Sequence, residues 1–207
     1  MTDENVGRDD LAHWTARYAD RGCELDRVPS PWAIERCLAI PSGALIVDIA
    51  GGSGRHALAL AREGRAVVVV DFVAAAVAAA VARSTRVLGI VADVAACPIR
   101  DGSVDAILCV SFLDRSLFRM FATLLRPGGT LVYETFTRDH LDVVARGHAR
   151  GPRSSEYLLD RGELPRLVAP LDVREYDERL IVDAAGERHV ARVVALKNSQ
   201  KGPFAVP

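Results

Sequence analysis

The stretch Ile46-Val-Asp-Ile-Ala-Gly-Gly-Ser-Gly-Arg55 decides the fold of this chain. It is an apolar run that breaks into glycines where a helix can begin. One helix-length later a second apolar run, Ala66 to Val70, ends on Asp71. In a parallel sheet this order sets a glycine turn and an acid together at the C-terminal edge. Glycines there let a ligand lie against bare backbone, and an acid can accept from a ribose hydroxyl.

Working outward, strands alternate with helices. Asp10 is placed to cap a helix over Leu11 to Asp20, with Trp14 and Tyr18 on one face, and Arg21 to Pro29 reads as a loop. Ser30-Pro31 starts a second helix that runs to about Ala39. Strands follow near Ala44–Ile49, Ala66–Val70, Val87–Val91, Val104–Val110 and Gly129–Glu134. Helices fall at Ser53–Glu63, Val73–Arg83 and Leu117–Leu125, the second with Val73, Val77 and Val81 in register as packing residues. Ser155–Val168 reads as helical. Two extended runs, Asp172–Val182 and Arg188–Lys197, then flank a turn at Asp183–Gly186. The prediction is an α/β fold with a doubly wound, mostly parallel, seven-stranded Rossmann-like sheet ending in an antiparallel hairpin strand. One domain is expected over residues 1–207, with a lid helix at about 11–20 and a loose tail at about 198–207.

Composition narrows the classes. Twenty-six basic residues nearly cancel 27 acidic ones, so no electrostatic case exists for nucleic acid or an anionic membrane as partner. Cys23, Cys37, Cys97 and Cys109 form no Cys-x-x-Cys pair and lie beside no histidine cluster, which argues against a metal site and fits a reducing compartment. Met1–Asp10 is polar, unlike a secretory signal, and the weakly polar stretch Ala66–Ala82 contains Asp71. A soluble, cytoplasmic protein is expected. The oligomeric state cannot be read from the sequence.

Two cofactors compete for the glycine turn. Gly52-Ser-Gly54-Arg-His-Ala57 with Asp71 about 20 residues on satisfies the dinucleotide fingerprint. S-adenosylmethionine is favoured by three features. Asp48, four residues before Gly52, can hold loop amides and face an ammonium, whereas it would repel a pyrophosphate. Asp93, in Ala92-Asp-Val94, is placed to accept from an adenine amino group. The terminal hairpin adds a strand that a simple dinucleotide fold does not need.

These residues carry a resemblance. The chain resembles the class I S-adenosylmethionine-dependent methyltransferases from about Trp14 to Lys197. Asp48-Ile-Ala-Gly-Gly-Ser-Gly54 is similar to the family's first motif, with Ala50 in place of the usual first glycine. Leu125-Arg-Pro-Gly-Gly129 is similar to the turn before the fifth strand. The resemblance implies that Gly51, Gly52 and Gly54 pass the cofactor's methionine end, Asp48 its ammonium and Asp71 its ribose. It places Phe72, Asp93 and Val94 at the adenine, with Ala50 and Val110 in the same set and Tyr18 on a lid. A narrower resemblance is to the tellurite-resistance-type, small-molecule branch. It rests on Gly54-Arg55, Leu113-x-Arg115, Tyr133-Glu-Thr-Phe136, Gly151-Pro-Arg153 and Leu158-Leu-Asp-Arg-Gly-Glu-Leu164. Gly51 stands where cysteine is common in that branch, and Asp114 where a histidine is expected.

The implied chemistry is methyl transfer to a small acceptor such as a thiol, a chalcogen oxyanion or a small acid. A soft anion needs no base; a hydroxyl or amine does. Arg115 could hold an acceptor's oxyanion or form an ion pair with Asp114 or Glu134. Asp114 could serve as a base or as a cap to the Ser116 turn, and His140, after the fifth strand, is a further candidate base. His13, His56, His148 and His189 read as surface or packing residues. Two other functions remain open: a protein that binds the cofactor without turnover, and a nicotinamide-dependent oxidoreductase.

Overall fold

The computed structural model describes residues 11–19, 28–147, 151–183 and 186–198. The Asp10 cap, most of the loop after the first helix with Cys23, His148, the middle of the hairpin turn and the tail from residue 199 lie outside the described residues. Helix α1 covers residues 11–19, α2 Pro31–Leu38, α3 Arg55–Arg62, α4 Ala74–Val81, α5 Phe118–Leu124, α6 His140–Ala145 and α7 Leu164–Leu167. The strands are β1 Ile46–Ile49, β2 Val67–Asp71, β3 Val87–Val91, β4 Val104–Val110, β5 Leu125–Phe136, β6 Asp172–Asp183 and β7 Gly186–Leu196. They form one seven-stranded sheet in the order β3-β2-β1-β4-β5-β7-β6. The mostly parallel sheet closed by an antiparallel hairpin is thus the architecture expected from the sequence. Among the described residues, no helix is long and apolar enough to cross a membrane.

Two compact units divide the chain: residues 1–98 with 108–110, and residues 99–107 with 111–207. In the first, β2 lies parallel to β1 and to β3, with Ile46 opposite Val67 and Val67 opposite Val87. All four residues of β1 are buried, as a strand covered on both faces requires. Helix α2 begins where Ser30 accepts the Ala33 N–H in its side chain and Pro31 presets the first turn. Helix α4 buries Ala76, Val77 and Ala80 against the sheet. Val73 and Val77 are core, as their spacing implies, but Val81 is 40% exposed. Helical register sets it over Gly89 of the edge strand β3, and beyond that edge there is little to bury it.

In the second unit, β7 runs antiparallel to both β5 and β6. Strand β5 is longer than its apolar run predicts. Gly128 N–H donates to Lys197 O and Lys197 N–H to Gly129 O, which draws Leu125-Arg-Pro-Gly into the ladder. The aromatic rings of Phe118 and Phe121 pack on Tyr133 at 5.0 and 6.1 Å between centroids. Ser155–Val168 is not one helix. Leu159 N–H donates to Phe136 O and Arg138 N–H to Leu159 O, so this stretch is extended along the end of β5. The helix resumes only as α7, with Pro165 in its first turn.

Candidate functional site

The turn between β1 and α3 is built from left-handed backbone. Ala50, Gly52 and Gly54 have φ of 52°, 55° and 76°. Glycine adopts such angles freely; alanine at position 50 stores about 1–2 kcal/mol of strain. Gly54 N–H donates to Gly51 O, and Gly54 O accepts from Leu58 N–H, so the turn passes directly into α3. Each glycine also has a steric reason. A side chain at Gly51 would strike Asp48 and Val69, and one at Gly54 would strike Ala80. At Gly52 it would fall on the Tyr18 hydroxyl.

Two carboxylates flank this turn. Asp71 ends β2, and its Oδ2 accepts Gly52 N–H at 2.8 Å while its Oδ1 accepts Val73 N–H at 2.9 Å. Each of these oxygens keeps a second lone pair for another donor. Burial raises its pKa, and the backbone N–H groups of Val73, Gly52 and Phe72 oppose that rise. Asp48 is deeper, 1% exposed. It accepts the Ala57 N–H, and its Oδ2 has no hydrogen-bond partner. Burial pushes its carboxyl up to about 7, with Asp71 adding to the rise and Arg55 opposing it.

The remaining expected cofactor residues surround the same turn in sequence and lie in the same unit. Asp93 Oδ1 accepts Ala95 N–H at 2.9 Å and caps the short helical turn Val94–Ala96, which buries Val94. Ala92 N–H donates to Asp71 O, tying the end of β3 to the end of β2. Val110 is buried at the end of β4, and Phe72 is half-buried. Tyr18, on α1, stands on Gly52, with Trp14 6.4 Å from it between ring centroids.

Of the two roles expected of His56, surface or packing, the structure gives it packing. It is buried, its Nε2 accepts Ser30 N–H at 3.1 Å, and burial drives its pKa well below the ordinary value, so it is a neutral link between α2 and α3.

The three candidate catalytic residues lie in the second unit. Asp114 caps the helical turn Arg115–Leu117, its Oδ1 accepting the Ser116 N–H at 2.9 Å and the Ser116 hydroxyl at 2.6 Å. Arg115 forms an ion pair, but with neither expected partner. Its Nε and Nη2 donate to the two carboxylate oxygens of Glu163 at 2.6 and 3.0 Å. Nη1 and Nη2 also donate to the carbonyls of Glu156 and Leu158, both at 2.9 Å. Four of the five guanidinium N–H donors are thereby engaged. Glu134 instead pairs with Arg192, opposite it across β5 and β7, at 2.8 Å and buried.

His140 is buried at the start of α6. Its Nδ1 accepts His189 N–H at 3.3 Å, which makes Nε2 the protonated nitrogen. That Nε2 faces Gly151 without a hydrogen-bond partner, and Phe136 packs on the ring at 4.6 Å. Burial, then the charges of His189 and Arg188, lower its pKa. Arg115 and His140 therefore hold chain segments together, for reasons no local spacing announces. Glu163 was missed as a partner because it lies 48 residues away. Its one sequence signal is its place in the quoted Leu158–Leu164 motif.

Residues 46–129 match the family described as methyltransferase domain. No curated protein matches the chain in sequence. Among solved structures the chain is similar to a protein reported under the conversion of a disulfide bond into a thioacetal group during echinomycin biosynthesis. The two share 16% identity over 93% of this chain and 94% of that one, with a TM-score of 0.73. It is also similar to an S-adenosylmethionine-dependent methyltransferase from Methanosarcina mazei, at 18% identity over 84% and 100% and a TM-score of 0.68. A third is a methyltransferase, so far assigned only provisionally, from Haloferax volcanii, solved with the Trm112 methyltransferase activator. It shows 21% identity over 94% and 99%, and a TM-score of 0.69. Residues 46–129 thus carry the match to a methyltransferase domain, and the seven-stranded fold is shared with structures that include an S-adenosylmethionine-dependent methyltransferase.

Proposed function

We propose that this chain transfers a methyl group from S-adenosylmethionine to a small-molecule acceptor that arrives already nucleophilic, such as a thiolate or a reduced chalcogen. The observation that carries the reading is the turn at residues 50–54. Its backbone is bare at three glycines, Asp71 fixes one side of it, and Asp48 beneath it has a partnerless oxygen. A cationic amino-acid end fits that arrangement, since it adds a positive charge to two buried carboxyls that Arg55 alone opposes only in part. A pyrophosphate does not fit it. The cofactor supplies a methyl group already activated on a sulfonium. The chain's contribution is then to bind, align and exclude water.

In this reading Gly51, Gly52 and Gly54 bear the methionine end, and Asp48 faces its ammonium. Asp71 accepts from the ribose through the lone pairs its two amide bonds leave. Phe72, Asp93, Val94 and Val110 surround the adenine, and Tyr18 closes over the turn. Arg115 and His140 are committed to structural partners, so base catalysis would rest on Asp114, which already caps a turn. That supports an acceptor needing no base. The narrower resemblance to tellurite-resistance-type enzymes points the same way, and the echinomycin neighbour lends sulfur chemistry a precedent in the same fold. The expected setting is the cytoplasm.

The test is calorimetric titration of the stripped protein with S-adenosylhomocysteine, followed by a methyl-transfer screen over thiols, chalcogen oxyanions and small acids. Stoichiometric binding with turnover of a thiol or chalcogen is the expected result. No binding to a folded protein at millimolar ligand would overturn the reading. Binding with no product from any acceptor class would favour a cofactor-binding protein without turnover.

A further inference from the structure

We infer that ligand binding at the glycine turn is proton-coupled: seating a ligand's ammonium there expels a proton from Asp48 to solvent. The inference rests on the methyltransferase reading of this site and adds a regulatory property to it.

The geometry is that of a carboxyl without enough partners. Asp48 lies in the buried strand β1, takes one N–H from Ala57, and leaves Oδ2 unpaired. Gly51 and Val69 close over it so tightly that a Cβ on Gly51 would stand 2.9 Å from its Cγ and 3.0 Å from Oδ2. From α3 it faces Arg55, a cation, and from β2 Asp71, a second buried carboxyl. From α2 and β4 it faces Cys37 and Cys109. Burial pushes the Cys37 thiol up to about 12 and that of Cys109 well above its ordinary value, so both are neutral. His56 on α3 is neutral as well. Among the described residues that act on Asp48, one cation thus stands against a second carboxyl in a buried turn.

A carboxyl in such a place favours its neutral form, and Asp48 titrates at about 7. An ammonium brought to the turn reverses the balance, because the ionised form then gains a counter-charge. Linkage is reciprocal: if the ligand lowers the proton affinity of Asp48, the proton lowers the affinity for the ligand by the same factor. The sign follows. Above about pH 7 Asp48 is ionised in the free protein and affinity is flat. Below it, affinity falls about tenfold per pH unit until the pKa of the bound form is reached.

The experiment is calorimetric titration of the full chain with S-adenosylmethionine between about pH 6 and 7, in buffer pairs of different ionisation enthalpy. In that window the ligand's own α-amino group, with a pKa of about 7.7–8.0, stays protonated, so released protons come from the protein. Wild type should release close to one proton per ligand at the acid end and bind about fivefold more weakly there than at pH 7. Asp48→Asn should bind with no release and a flat profile. Affinity within twofold across the window and no proton release would overturn the coupling; this wild-type count decides the matter even if the variant fails to fold. A variant that releases protons like wild type would overturn the assignment to Asp48. No binding at any pH would overturn the methyltransferase reading itself.

Discussion

Replacing Gly54 by alanine separates two roles of one glycine, and its cost can be worked from the coordinates. With φ at +76°, Gly54 is in the left-handed region, which costs an L-residue about 1–2 kcal/mol. Its added Cβ would lie 2.7 Å from the Ala80 Cβ and 3.6 Å from the Ala80 Cα, a fully buried contact between the turn and α4. Relieving that overlap needs a shift of α4 or of the turn, at about 1–3 kcal/mol. Gly54→Ala should therefore destabilise by about 2–5 kcal/mol, read by urea unfolding. Ala80→Gly removes the opposing methyl. Alone it costs about 0.5–1 kcal/mol for glycine within a helix and roughly 0.8 for the lost methyl. In the double variant the overlap is gone and the backbone strain stays, so the cycle should show about 1–3 kcal/mol of favourable coupling. A Gly54→Ala cost under about 0.5 kcal/mol, or additive effects in the cycle, would refute the close-approach argument.

Three further outcomes follow from the same contacts. Arg192→Met removes the cross-strand ion-pair partner of the buried Glu134 carboxylate and should cost about 3–5 kcal/mol in urea unfolding, while a second change, Glu134→Leu, should recover most of that loss. Asp71→Ala removes the acceptor of Gly52 N–H and should weaken S-adenosylhomocysteine binding by about 1.5–3 kcal/mol per lost bond; an affinity within twofold of wild type would end the ribose assignment. Asp48 makes stability pH-dependent. Its pKa is raised on folding from 3.8 to about 7, so the stability it contributes is full below 3.8 and is lost as pH rises through about 7. Wild type should therefore lose stability relative to Asp48→Asn as pH rises between about pH 4 and 7 and run level with it above that, and parallel profiles across the whole range in chemical denaturation would count against the buried, under-partnered carboxyl.

What the sequence made legible is what its neighbours in sequence determine. The glycine turn and the acid ending β2 lie within one contiguous stretch from β1 to the end of β2. Their spacing already states their geometry. The exceptions have tertiary causes. Val81 follows the helical register of Val73 and Val77, yet the sheet ends at β3 and cannot bury it. The helix expected over Ser155–Val168 yields to pairing with the end of β5 and the residues just beyond it, where Phe136 O and Arg138 N–H bind Leu159. Helix α6 went unpredicted, because six residues are too few for periodicity to register.

The residues after β4 were hardest to read, and Arg115 shows why. Leu113-x-Arg115 and Leu158-Leu-Asp-Arg-Gly-Glu-Leu164 look like two separate motifs with separate purposes. In the structure they are two halves of one clasp. Arg115 grips both oxygens of Glu163 and the carbonyls of Glu156 and Leu158, and Glu163 also accepts the Asp160 N–H. A planar guanidinium is the side chain that can satisfy a carboxylate and two carbonyls together, which lysine cannot. The same clasp gives a reason for Asp114. A residue opening the turn that presents Arg115 must accept the Ser116 N–H, and a short carboxylate does so in the manner of a helix N-cap. At this position aspartate meets the needs of the turn through both the Ser116 N–H and the Ser116 hydroxyl.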